Sequence, residues 1–450
     1  MMHARLTKEE FSVALKRGQG RVFLHAQQFG LADVADVVLD ACLSNPVFDR
    51  QCESSRAPWL FRLFCEAPEY AWLSSKILEA LKTPSDDHDI EHLCELAALM
   101  GKKGDAAAAA ALREKVLGQT FTTDDDQYGC HALILLDGQE VAIEIARRFG
   151  ALVIESPDLS APPLNYLTDG TEILLELENR LQSLAATDPT IDAFWQAQLA
   201  FPYRDMEPDT RSKEECRQER RVRFREENPV EKILADIAAG VGSTPGRYVS
   251  FGGFATDAEL ACVLQKLVTE TDEDMCMRLL WIFRRTPLPD LPPKIWGLAA
   301  SANDRLRAAA IAALAQSCDA RVGDFARARL QSPDFSGNES EILDLFVKNY
   351  LPGDEHLIMS VMRRLLLDED SAHDFGSSIL KICEENESEH FGEMLEWAYK
   401  INPCTICRHR LVSEMRDSGR LDPEIAAESL YDADEDTREL AREWLAQAVL

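Results

Sequence analysis

Residues 303–315 have the sequence NDRLRAAAIAALA, and the same pattern returns at 434–446 as DEDTRELAREWLA. The arginine, the alanine three residues after it and the closing Leu-Ala pair coincide in both stretches, and a weaker copy begins at Asp274 with Arg278. An aspartate or asparagine can cap a helix whose first turn carries the arginine. Because one such helix cannot bury its apolar stripe alone, the repetition predicts helices that stack.

The helical period extends along most of the chain. In residues 257–268, DAELACVLQKLV, apolar residues recur three and four positions apart, as they do on one face of a helix. Prolines fall between such stripes and divide them into short helices, because proline cannot continue a helix interior. The nearest candidate for a strand, residues 151–154 (ALVI), is too short to found a sheet. The sequence therefore predicts an all-α fold.

The Asp/Asn-x-x-x-Arg-x-x-Ala spacing resembles the second helix of HEAT repeats, an armadillo-type family, over roughly 256–450. The chain as a whole also resembles bacterial HEAT-like proteins of no assigned activity, through 18–21 (GQGR), 49–56 (DRQCESSR) and 403–408 (PCTICR). The resemblance implies an elongated, curved α-solenoid of stacked antiparallel helix pairs. It implies no catalytic residues.

Changes in composition predict three segments. Residues 1–204 form an N-terminal helical repeat array, 205–255 a charged helix with a Gly-rich connecting loop, and 256–450 a C-terminal HEAT-like array. The alternative is that 205–255 is an excursion within one continuous solenoid.

The charge balance restricts the function. The 450 residues include 78 acidic and 48 basic ones, for a net charge of −30, which argues against a large nucleic-acid or anionic-membrane footprint. No run of about 18 apolar residues or signal-peptide core occurs, so we expect neither a membrane span nor secretion. Twelve scattered cysteines are typical of reduced thiols, and we expect a cytoplasmic protein.

Two patterns could bind zinc. His88, Glu91 and His92 match the H-x-x-E-H pattern of inverted zinc peptidases, although an acidic first turn with both histidines on an outer helix face is the favoured interpretation. Cys404 and Cys407 with His409 form half of a zinc site. Two residues are near enough in sequence to complete it, Cys383 and His390. Cysteines that simply pack in the first turn of a helix are favoured over a structural zinc, and a thioredoxin-type role is less favoured still. No other cofactor is predicted.

Two polar groups could bind a partner. Arg217, Arg221 and Arg225 form one row of a helix within the basic segment 211–225, but interleaved glutamates favour a solvated, self-paired helix over a phosphate site. A second, N-terminal group could be a buried hydrogen-bonded network or line a ligand surface, and the network is favoured. Its members are Asp49, Gln51, Glu53 and Arg56.

These observations favour a non-enzymatic scaffold that binds a protein partner, one with a basic segment given the charge of −30. The alternative is a nucleic-acid-binding or nucleic-acid-acting HEAT-like protein that uses the basic row at 211–225, comparable in outline with the alkyl-purine DNA glycosylases. A zinc-dependent hydrolase is the third hypothesis. The sequence names neither the partner nor any small molecule.

Overall fold

A computed structural model describes residues 4–83, 87–118, 120–122, 128–157, 161–164, 171–200, 212–241 and 245–448. In these ranges the chain forms α-helices, one 3₁₀ helix and no strand, so the prediction of an all-α fold is confirmed. Residues 151–154 lie inside a helix. No helix in these ranges combines the length and apolar character that crossing a bilayer requires.

The helices of the first half of the chain are α1 Lys8–Lys16, α2 Arg21–Phe29, α3 Ala35–Leu43, α4 Ala57–Phe64, α5 Tyr70–Lys82, α6 Asp87–Lys102, α7 Ala106–Leu117, α8 Cys130–Asp137, α9 Gln139–Glu155, α10 Thr171–Ala185 and α11 Pro189–Leu199. They are followed by α12 Lys213–Glu227, α13 Val230–Ala238, α14 Gly246–Phe254, α15 Asp257–Thr269, α16 Glu273–Ile282, α17 Pro293–Ala299, α18 Asp304–Leu314 and α19 Ala320–Leu330. The 3₁₀ helix Ser340–Phe346 precedes α20 Asp354–Met362, α21 Glu369–Glu385, α22 Phe391–Ile401, α23 Thr405–Asp417, α24 Pro423–Ser429 and α25 Glu435–Ala448.

The chain forms two compact units. One contains Met1–Pro208 together with Ala427–Leu450, and the other contains Asp209–Ala426. The last 24 residues thus belong with the N-terminal part, whereas the sequence analysis grouped them with 256–450.

In the Asp209–Ala426 unit, helices that alternate in sequence contact each other. One series runs α14, α16, α18, the 3₁₀ helix, α21 and α23, and each member contacts the next. Pairing between neighbours in sequence joins α15 to α16, α17 to α18, α19 to the 3₁₀ helix and α22 to both α21 and α23. The first unit shows similar alternation, with α1, α3, α5 and α7 in one series and α4, α6 and α8 in another.

The arginine has a common structural role in the two closest copies of the pattern, whereas Arg278 of the weaker copy donates from Nη1 to the carbonyl of Ile237 (3.3 Å) on another helix. Arg307 Nη1 donates to the carbonyl of Ser301 (3.5 Å) and Arg438 Nη1 to that of Asp432 (2.8 Å), each six residues earlier. The guanidinium therefore satisfies carbonyl groups of the loop that enters its own helix, where a lost partner would be costly. The alanines three residues later, Ala310 and Ala441, are fully buried, as close helix contact requires.

A third arginine makes the same kind of contact although its surrounding sequence does not match the repeated pattern. Arg408, which is fully buried, donates from Nη1 to the carbonyls of Asn402 (3.3 Å) and Pro403 (3.5 Å). The bond again spans six residues. Proline and two cysteines replace the acidic first turn here, so the pattern of residue types hides the shared geometry.

Candidate functional site

The first turns of α16, α18 and α21 carry exposed acidic side chains. We call this group the acidic edge, and its members are Glu273, Asp274, Asp304, Glu369 and Asp370. The first three residues of these helices hold only one basic residue, Arg305, which is also exposed. Acidic residues are favourable at helix N-termini because they face the positive end of the helix dipole.

Side-chain contacts bring these N-termini into one line. Asn303 donates from Nδ2 to Glu273 Oε2 (2.8 Å), which joins the starts of α16 and α18. Arg307 Nε donates to Glu341 Oε1 (3.2 Å), which joins the first turn of α18 to the 3₁₀ helix. The loop before that helix reaches the start of α21, since a Cβ on Gly337 would lie 3.1 Å from Leu367. At about 10 Å for each helix spacing, the edge extends about 30 Å.

Capping accounts for only part of this acidity. Asp272 accepts from the amide of Met275 (2.8 Å) and Asp368 from that of Ser371 (2.9 Å), so these two carboxylates stabilise the helix starts. By contrast, the side chains of Asp274, Glu369 and Asp370 make no hydrogen bond or ion pair within the described chain. Beside them, Leu366 is 99% exposed. Of the other two members, Glu273 accepts from Asn303 and Asp304 accepts from Arg307 Nη1 (2.7 Å). The acidic edge therefore offers three uncommitted carboxylates, two of them next to an apolar side chain.

The basic row lies on α12, which is exposed on nearly all sides. Arg221 lies over the ring of Phe254, 5.9 Å from its centroid, and Arg225 Nη2 is 3.5 Å from Glu259 Oε2. Arg217 has no such partner in the described residues. The predicted row is therefore divided between two side chains held by α14 and α15 and one that faces solvent. Arg211 lies outside the described residues.

An open cavity of about 850 Å³ lies between α12 and α14. Phe224 and Phe254 meet edge to face at its floor, with ring centroids 5.5 Å apart. The charged side chains that line it are Arg217, Arg220, Arg223 and Glu227. The helix carries 6 basic and 5 acidic residues, 6 − 5 = +1, so its charge is nearly balanced.

The N-terminal polar cluster separates into buried and exposed members. Arg56 Nη2 donates to Glu53 Oε2 (2.9 Å), and both side chains are almost fully buried. Asp49 accepts at Oδ1 from the amides of Gln51 (3.0 Å) and Cys52 (3.2 Å), which orders the turn. Gln51 itself is exposed. The buried pair thus has the geometry of the predicted network.

This cluster lies where the end of the chain contacts its beginning. The amide of Ala433 donates to the carbonyl of Gly18 (2.9 Å), and Trp59 Nε1 donates to the carbonyl of Tyr431 (2.8 Å). A Cβ on Gly18 would lie 2.6 Å from both Arg56 Nη1 and the Ala433 side chain. Residues 18–21 and 49–56, which prompted the resemblance, therefore hold the segment that leads into α25.

The H-x-x-E-H residues bind backbone groups. His92 does not lie on an outer helix face, as the sequence had favoured, but is buried, and its Nε2 lies 3.2 Å from the carbonyl oxygen of Ala41 on α3. Glu91 Oε1 accepts from the amide of Gly129 (2.9 Å), and burial raises its pKa. The side chain of His88 lies outside the described residues. Both described members of the pattern thus help to hold α6 against its neighbours.

Burial of His92 predicts a pH dependence of stability. Burial lowers the pKa of His92 to about 4, below its ordinary 6.5, because the charged form would be desolvated. The unfolded chain therefore takes up this proton first, and stability is lost as the pH falls from about 6.5 to about 4. We expect denaturation curves to show a loss of about 3 kcal/mol over this range that the variant His92→Gln lacks. Equal pH profiles for both proteins would contradict a buried neutral His92.

The cysteine pair meets a histidine from another helix. Cys404 is the N-cap of α23, Cys407 lies in its first turn, and His373 projects from α21. The distance between Cys407 Sγ and His373 Nε2 is 3.3 Å, and the three ligand atoms of His373, Cys404 and Cys407 all lie within 4.8 Å of one another. The hydrogen bond with Asp374, followed by that with Cys404, raises the pKa of His373 to about 9.

Of the four predicted ligands, only Cys404 and Cys407 lie together in this group. Cys383 is buried, and burial raises the pKa of its thiol, as expected for a packing residue. The structure places neither Cys383 nor His409 in the group with Cys404 and Cys407, and His390 lies in a separate group with Glu355 and His356. His373 was missed because it lies 31 residues before Cys404. Only the contact between α21 and α23 joins them.

No family model, curated protein or solved structure matches this chain.

Proposed function

We propose that the protein is a non-enzymatic scaffold of the HEAT-like α-solenoid type. The proposal rests on the alternation of contacts in the Asp209–Ala426 unit, where each helix of the series α14 to α23 contacts the next one but one in sequence. Stacking of this kind extends a surface by one helix end per repeat. The repeated arginine supports the proposal, because Arg307 fixes the entry loop of α18 and Arg408 fixes that of α23 in the same way.

The acidic edge is the binding surface of this scaffold, and its occupant is a basic segment of a partner protein. The observation that carries the proposal is the presence of uncommitted carboxylates at the starts of two helices of this series, Asp274 on α16 and Glu369 and Asp370 on α21. An extended chain of about nine residues spans about 30 Å. Lysine or arginine in such a segment would meet these carboxylates, and an apolar residue would meet Leu366.

Exposed charge pairs supply modest energy and strong salt dependence. Each exposed ion pair contributes about 0.2–1 kcal/mol, so the five carboxylates of the acidic edge account for a few kcal/mol at most. Long-range attraction adds chiefly to the association rate and is screened over about 8–10 Å at physiological salt. We therefore expect weak, salt-sensitive binding, with a dissociation constant on the order of a millimolar.

A charge-neutral variant of the acidic edge tests this function. The variant Glu273→Gln/Asp274→Asn/Glu369→Gln/Asp370→Asn retains the capping residues Asp272 and Asp368 and should fold. For a synthetic peptide of about twelve residues, rich in lysine with one central leucine, we expect about a tenfold loss of affinity at about 50 mM salt. Isothermal titration calorimetry measures the dissociation constant of the peptide for both proteins.

The matched control changes the net charge equally in the other unit. Four exposed carboxylates there have no hydrogen bond or ion pair in the described chain, and the control variant is Asp40→Asn/Glu114→Gln/Glu155→Gln/Glu176→Gln. We expect it to bind the peptide within about twofold of the native chain. Equal losses in both variants would mean that the peptide senses only net charge, and the proposal would fail.

A further inference from the structure

The contacts around Cys404 and Cys407 describe a small, ordered donor set. Ligand atoms of a tetrahedral zinc site, with bonds of 2.0–2.3 Å, lie about 3.3–3.8 Å apart. The distance of 3.3 Å between Cys407 Sγ and His373 Nε2 already falls at this value, and Cys404 Sγ lies within 4.8 Å of both atoms. Movements of at most about 1 Å would bring the three ligands around one ion.

The loop that carries the cysteines is held rigidly before any ligand binds. Asn402 is fully buried and accepts at Oδ1 from the amide of Cys404 (3.0 Å). The buried Arg408 binds the carbonyls of Asn402 and Pro403. Gly376 on α21 permits this close approach, since a Cβ there would lie 2.6 Å from Asn402 Nδ2. Pre-organisation of this kind reduces the entropy lost on binding.

The surroundings of the histidine match those of a metal ligand. Its Nδ1 lies 3.4 Å from Asp374 Oδ1, while Nε2 faces the sulfurs. A carboxylate behind the non-ligating nitrogen orients the ring and strengthens the other nitrogen as a ligand. The hydrogen bond with Cys407 and burial raise the pKa of the Cys404 thiol, so an ion that binds there releases its proton. His373 is 30% exposed, so an ion can enter from solvent.

We propose that His373, Cys404 and Cys407 bind one zinc ion, which links α21 to α23. Two thiolates and an imidazole form a donor set that favours zinc over the other common divalent ions. The fourth coordination position is open to water or to a ligand from a partner. This inference goes beyond the proposed function, since none of its residues belongs to the acidic edge.

The second group of potential ligands provides the comparison. Glu355 already accepts from the amide of Gly353 (2.8 Å) and from the hydroxyls of Tyr350 and Ser388. Its histidines, His356 and His390, are exposed, with ring centroids 4.7 Å apart. A carboxylate engaged in this way is a poor metal ligand, so His356→Ala is a suitable control.

The test uses the full chain, reduced and loaded with Zn²⁺ alone or with Co²⁺ alone. We expect one zinc per chain after gel filtration, measured by atomic emission, and a sulfur-to-metal charge-transfer band with Co²⁺. His373→Ala and Cys407→Ser should each weaken zinc binding at least about 100-fold. Asp374→Asn should weaken it about tenfold, and His356→Ala should leave it unchanged.

Two results would overturn the proposal. One is native protein that gives no thiolate band with Co²⁺, which requires no variant and is independent of any effect on folding. The other is zinc affinity that stays the same in both His373→Ala and Cys407→Ser.

Discussion

Alanine at position 20 should detach the end of the chain from its beginning. Gly20 lies at the start of α2, where a Cβ would overlap the carbonyl oxygen of Glu428 and come within 2.9 Å of the carbonyl carbon of Tyr431. Both obstacles are backbone atoms, which cannot rotate away as a flexible side chain would. The overlap can be relieved only if residues 428–433 shift, and this segment is held by the hydrogen bond from Trp59 Nε1 to the carbonyl of Tyr431.

We expect Gly20→Ala to lower the free energy of unfolding of this unit by about 3 kcal/mol. Denaturation followed by tryptophan fluorescence measures the loss, and limited proteolysis should cleave first near 428–433. The control is Gly297→Ala on α17, where the new Cβ would meet nothing within 4 Å. Alanine there should stabilise the helix by about 0.5–1 kcal/mol. A Gly20→Ala protein as stable as the native chain would contradict this contact.

Glu53→Gln should be equally damaging for an electrostatic reason. The substitution preserves size but removes the negative charge opposite the buried guanidinium of Arg56. Breaking a buried pair on one side costs about 3–5 kcal/mol, because the remaining charge is desolvated without compensation. We expect a loss of about 3 kcal/mol by equilibrium denaturation.

Two further variants isolate the cause. Glu53→Gln/Arg56→Met removes both charges and should recover much of the loss, since an apolar replacement of a buried pair is often neutral. Asp137→Asn disrupts the more exposed pair with Arg113, whose Nε–Oδ2 distance is 2.6 Å, and should cost less than about 1 kcal/mol. If the double variant is no more stable than Glu53→Gln, the loss comes from packing rather than from charge.

The fold class was accessible from sequence because it depends on local periodicity. The stripe in 257–268 and the pattern in 303–315 both report which face of a helix is buried, and the structure forms α15 and α18 there. The grouping of 427–450 with the N-terminal part was not accessible. It depends on contacts such as that between Gly18 and Ala433, which lie more than 400 residues apart and have no local pattern.

The candidate zinc site and the acidic edge likewise depend on long-range contacts that the sequence does not reveal. A pair spaced as Cys404 and Cys407 is visible in sequence because its members share one helical turn. His373 and Asp374 are not, because their relation to the cysteines depends on which helices pack together. The acidic edge was not predicted from the sequence, because the contacts that connect the helix starts run through Asn303 and Arg307 and have no local pattern.

Cross-linking locates the binding surface most directly. A carbodiimide joins carboxylates to lysines in contact with them, and mass spectrometry of the digested complex with the lysine-rich peptide identifies the residues that reacted. The account predicts cross-links concentrated at Glu273, Asp274, Glu369 and Asp370, and lost at about 200 mM salt. Cross-links spread evenly over exposed acidic residues of both units would contradict it.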